Sequence, residues 1–173
     1  MNPTAIFGLS SAMSLIAGIV LANLYILPRL QNTHRDDALT ALIIPHAFRF
    51  IGLSFLVPGV VSPSLQPAFA VSAAYGDLGA AILALIAVLA LRSKLSLAIP
   101  LVWLFNIWGF ADLVHAVYEG ATRGVGDAPG TLGAAYFLPT VLVPLLLVTH
   151  GLIFRLLLRS RQPVQPGATL FSS

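Results

Sequence analysis

Five stretches of this chain are each long and apolar enough to cross a bilayer, and short polar or breaker-rich segments separate them. A membrane helix needs about 20 residues to cross roughly 30 Å of hydrocarbon, at about 1.5 Å rise per residue. The stretches cover about Ala5–Leu27, Leu39–Val61, Phe69–Leu91, Leu97–Glu119 and Leu132–Leu158. In lipid the backbone must satisfy its own hydrogen bonds, so apolar runs of this length fold as helices. The sequence therefore predicts an all-α integral membrane bundle of five transmembrane helices over residues 1–160. A disordered tail is expected at 161–173, which contains Pro163, Pro166 and Gly167. Only 9% of the residues are charged, against roughly 25% in soluble domains, and the mean hydropathy is +0.93.

The first stretch has no basic leader and no small-residue cleavage site, so it does not read as a removable signal peptide. Pro28 is expected to end the first helix, and Pro139 and Pro144 to kink the fifth. The third stretch opens on small residues, among them Ala73, Ala74, Gly76, Gly79 and Ala80, which let membrane helices approach closely. Basic residues alternate by loop. Arg29 and Arg35 lie in the first loop, Arg92 and Lys94 in the third, and Arg155, Arg159 and Arg161 flank the C-terminal end. The second loop has none and the fourth only Arg123. The positive-inside rule then predicts an N-terminus outside and a C-terminus in the cytoplasm. The sequence pI of about 9.8 reflects these loop residues, which suit topology and contact with the lipid bilayer rather than nucleic acid. The absence of cysteine excludes disulfides, thiolate metal sites and cysteine nucleophiles. No Walker, HExxH, GxSxG or GxGxxG element is present.

Function has to be sought in the polar residues placed inside apolar helices, where they are costly. Leu101–Gly120 carries Asn106, Asp112, His115 and Glu119. At about 100° per residue, Phe105, Trp108, Asp112, His115 and Glu119 share one narrow face. Arg49 falls roughly 15 Å from the inner edge of the second helix, too deep for snorkelling, and needs a partner within the bundle. Asp77 and Asp112 are the deep acids. Asp77 is the favoured partner, because the small-residue stripe brings its helix close, and Asp112 is expected to turn toward His115. With one deep cation and two deep acids, three arrangements are open. One acid pairs with Arg49 while the other is protonated, a protonated His115 adds a positive charge, or the site holds a proton or cation as part of its function.

Two cofactor readings follow from the histidines. Asp112 and His115, three apart on a helix, suit a divalent metal, or equally a hydrogen-bonded cluster between helices. His46 and His150 fall at one depth, as two axial ligands of haem b would, or as two packing histidines bonded to Asn23, Thr149 or backbone carbonyls.

The segment His46-Ala-Phe-Arg49-Phe-Ile-Gly52-Leu-Ser-Phe55-Leu-Val-Pro-Gly59, followed by Tyr75-Gly-Asp77-Leu-Gly-Ala-Ala, resembles the DoxX-like group of small multi-pass bacterial membrane proteins. The resemblance covers about half the chain. It implies a bacterial inner-membrane protein attached to redox systems, and among site residues it marks Arg49 and Asp77. The group has four helices where this chain has five, and LFNIWGFADLVHA lies outside the shared pattern.

The sequence thus supports a protein that binds or moves a small or lipid-soluble molecule at a protonatable site formed by Arg49, Asp77, Asn106, Asp112 and His115. A redox subunit binding haem or quinone, and an intramembrane acid–base enzyme, are the alternatives. Transport by five helices would call for a homo-oligomer.

Overall fold

A computed structural model describes residues 2–123 and 125–159. The expected tail at 161–173 lies outside the described residues. Five helices are long and apolar enough to cross a membrane: α1 (Pro3–Gln31), α2 (Arg35–Leu56), α3 (Pro67–Arg92), α4 (Ala98–Thr122) and α5 (Leu138–Leu158). α3 packs most extensively, against α2 on one side and α4 on the other. α5 closes the group through α2 and α4, and α1 leans on α5 from outside.

Helix ends depart from the sequence expectation for identifiable reasons. Pro28 does not end α1. The residues before it, Ala22–Ile26, widen into a π-helical turn, in which Leu27 N–H donates to the Ala22 carbonyl. A proline ring collides with the carbonyl four residues back, and the wider turn relieves that collision. The same device recurs in α5, where Leu138–Leu142 forms a π turn two residues before Pro144. The fifth span starts at Leu138 rather than Leu132, because Pro129–Tyr136 forms a separate 3-10 segment broken at Gly133. Gly133 has a φ of 51°, and a Cβ there would collide with the Val60 carbonyl. That carbonyl accepts from Ala134 N–H at 2.9 Å, while Ser62 N–H donates to Thr131 at 2.9 Å. The second and fourth loops are thereby stitched together across one end of the bundle.

α2 changes winding midway. Arg35–Ile43 is α-helical, and the thirteen residues Ile44–Leu56 are 3-10, a long run for that geometry. With three residues per turn, His46, Arg49, Gly52 and Phe55 align in one straight column, and these four are the buried residues of the segment. Had α2 stayed α-helical, His46 and Phe55 would lie about 180° apart around the axis.

The interior is layered. At the end that carries Arg35, Arg92 and Arg155, an apolar cluster of Leu39, Ile43, Ala84, Val102, Phe105 and Ile153 fills the space between α2, α3, α4 and α5. At that end Arg35 also donates to the Leu157 carbonyl at 3.1 Å, and Arg92 pairs with Asp37 at 3.2 Å on the surface. At the opposite end a second cluster, including Phe55, Phe69, Ala73 and Leu132, lies under the stitched loops. Fully buried polar residues occupy the layer between: His46, Arg49, Asn106, Thr140 and His150.

Candidate functional site

Arg49 is the hub of the polar layer. Its side chain is 1% exposed, yet its guanidinium serves three acceptors on two neighbouring helices. Nε donates to Asp77 Oδ1 on α3 at 2.7 Å, and Nη2 to Asp112 Oδ2 on α4 at 2.5 Å. Nη1 donates to the Gly109 carbonyl of α4 at 3.1 Å. The expected Arg49–Asp77 contact is present. The expectation that Asp112 turns to His115 instead is corrected: both acids close on the one arginine. The reason is charge. A guanidinium offers donors on two edges, so it satisfies two buried carboxylates at once.

Three glycines make this approach possible. A Cβ on Gly52 would collide with the Asp77 carboxylate, and one on Gly76 with the Asp112 carboxylate. A Cβ on Gly109 would come within 2.8 Å of His150 Cε1 and 3.1 Å of Arg49 Nη1. Each acid is thus seated on a glycine of the preceding helix. Asp77 of α3 rests on α2, and Asp112 of α4 rests on α3.

His46 and His150 meet as their common depth predicts, with ring centroids 4.3 Å apart. Thr149 Oγ1 donates to the Leu146 carbonyl, so it accepts from His46 Nε2 at 2.9 Å. Asn106 Nδ2 donates to the His150 carbonyl, so its Oδ1 accepts from His150 Nδ1 at 2.7 Å. His46 Nδ1 and His150 Nε2 have no partner among the described residues. This pair does not fit haem b ligation. Two metal–nitrogen bonds of about 2 Å, plus the ring radii, hold the centroids of axial imidazoles about 6 Å apart across the iron. Here the rings touch, and Phe105 packs on both.

The metal reading at Asp112 and His115 also fails the fit. His115 is exposed, and the Asp112 carboxylate is engaged with Arg49, so the two side chains do not converge on one point. Among the described residues no group of three or more His, Asp or Glu converges in a metal-binding arrangement. The shared helical face predicted on α4 is therefore divided. Phe105 and Asp112 face inward, while Trp108 and His115 are exposed, and Glu119 pairs with Arg123 at 2.5 Å. Asn106 belongs to the polar layer behind Arg49 rather than to the acids.

Both acids line a cavity of about 540 Å³. Its wall is apolar, with Phe7 and Leu15 from α1, Phe55 from α2, Phe69 and Ala73 from α3, and Leu113 and Ala116 from α4. Gly126 and Asp127 of the fourth loop stand at its rim. The contributions of α1 and α5, which include Ser11 and Leu147, carry no ionisable residue and left no signal in the sequence. The glycine seats had one, since Gly52 follows Arg49 by three and Gly76 adjoins Asp77.

No curated protein and no solved structure matches the chain. A family model does, over residues 6–158, which span all five helices, the Arg49 hub and both acids. The chain belongs to the family described as a domain of unknown function, DUF8737.

Proposed function

We propose that this protein binds, and in an assembled form moves, a small lipid-soluble molecule in the cavity between α1, α3 and α4. The observation that carries the reading is an apolar cavity with Asp77 and Asp112 in its wall. Its volume of about 540 Å³ falls within the roughly 300–1,000 Å³ of small-molecule pockets. Apolar walls with a few polar groups are what such a ligand requires, and α1, which packs on α5 and on the 129–136 segment, forms the lipid-facing side of the cavity wall. The apolar cluster at the basic end lies on the far side of the polar layer and contributes nothing to the cavity wall.

The test is a fluorescent neutral probe, N-phenyl-1-naphthylamine, titrated into the detergent-purified protein. Saturable binding is expected. Gly120→Leu should weaken it at least tenfold with helicity unchanged, because a Cβ at this lining position meets only Phe69, at 3.7 Å. Equal binding by parent and variant would place the probe elsewhere and overturn the reading.

The proposed setting is a bacterial inner membrane, in keeping with the DoxX-like rhythm around Arg49 and Asp77, with the cavity's rim loop outside. The loop charge asymmetry supports that orientation. Since the chain has no cysteine, single replacements report cleanly. In intact cells Ala128→Cys should react with an impermeant thiol reagent and Ser93→Cys should not. The reverse pattern would invert the topology.

A further inference from the structure

We infer that the cavity's ligand is a lipophilic cation, and that its binding displaces one proton from the Asp77–Arg49–Asp112 cluster. The inference rests on the cavity reading above and adds the charge of the occupant. Arg49 supplies one positive charge, and both acids pair with it. With both ionised, the cluster carries a net charge of −1 in a low-dielectric wall, which is strongly disfavoured. One added positive charge restores neutrality, and a proton on either carboxyl or a cation in the cavity can supply it. The exchange balances: the protonated cluster plus a cation gives the cation-bound cluster plus a released proton.

The surroundings supply no competing fixed cation. From α2 and α5, His46 and His150 lie behind Arg49, each donating through one ring nitrogen to Thr149 or Asn106. His115 of α4 lies within electrostatic reach of Asp112 but is exposed and is not part of the cavity wall, so it is a screened and titratable charge rather than a fixed one. α1 brings Thr4 and Ser11, which are uncharged. Asp127, at the rim, adds a second negative charge on the way in. The walls agree with the same sign. Phe7, Phe55 and Phe69 line the cavity, and aromatic faces attract cations.

Tetraphenylphosphonium, tetraphenylborate and neutral N-phenyl-1-naphthylamine should be compared by equilibrium dialysis against the full-length protein in detergent, with detergent-only blanks. The phosphonium is expected to bind at least tenfold more tightly than the borate. Its affinity should rise about tenfold per pH unit wherever one proton is exchanged per cation, with a matching proton release in weakly buffered solution. Asp112→Asn leaves a cluster that is neutral without a proton, so phosphonium binding should weaken and lose its pH dependence while the neutral probe still binds. Asp77→Asn should do the same, and either variant suffices if the other fails to fold. Preference for the borate, or phosphonium binding without proton release, would overturn the cation inference and leave the cavity reading standing. Failure of all three probes would overturn both.

Discussion

Arg49→Met should be the most damaging single substitution in the bundle, costing on the order of 3–5 kcal/mol, as removal of one partner from a buried ion pair does. The side chain is nearly inaccessible and joins α2 to both α3 and α4. Its loss strands two carboxylates together, where Met supplies bulk but no donor. The cost comes from desolvated charge left without a partner rather than from lost volume, so removing that charge should restore stability. Arg49→Met with Asp77→Leu is expected to recover only part of it, because Asp112 remains unpaired. Adding Asp112→Leu should recover most. The measurement is the fraction of monodisperse protein surviving a heating series in detergent. Full recovery with Asp77→Leu alone would mean that Asp112 does not depend on Arg49.

The spans were legible because lipid imposes a simple rule on length and apolarity, and the five apolar runs met it. Their ends were less so. Pro28 read as a break and Pro144 as a kink, yet a π turn before each proline accommodates the ring and lets the helix run on. The winding of α2 was hidden for a different reason. Depth at α-helical rise places residues by number alone, whereas a 3-10 segment rises about 2.0 Å per residue and stacks every third side chain. The spacing His46, Arg49, Gly52, Phe55 carried that period openly, and a period of three in an apolar helix is the signal to look for.

The ionic hub was legible in part. A midplane arginine must find an acid, which led to Asp77. The pattern could not tell that Asp112 would join it, since a helical wheel for α4 gives Asp112 and His115 adjoining positions. The structure separates them, because the buried face of α4 runs through Phe105, Gly109 and Leu113 with Asp112 at its edge, and leaves His115 exposed. The cavity was not legible at all. It depends on α1 standing off from α4, and no residue in α1 advertises that.

Gly76→Ala is expected to be far more harmful than its size suggests, because the methyl group would occupy the position of the Asp112 carboxylate. A long side chain would step aside at little cost. Asp112 has two torsions and is held by Arg49, so it must either abandon the guanidinium or push α4 away from α3. Overpacking alone costs about 1–3 kcal/mol, and loss of one arm of the hub adds to it. Gly52→Ala, which meets the Asp77 carboxylate in the same way, should behave alike. Gly151→Ala in α5 is the control. Nothing lies within 4 Å of its Cβ position, and alanine is favoured over glycine in a helix by about 1 kcal/mol, so that variant should be neutral or slightly stabilised. Combining Gly76→Ala with Asp112→Ala removes the collision. The pair should then survive heating better than Gly76→Ala alone, an inversion that additive effects would not produce. If Gly76→Ala melts with the parent, Asp112 does not sit on α3 and the geometry of the hub is wrong.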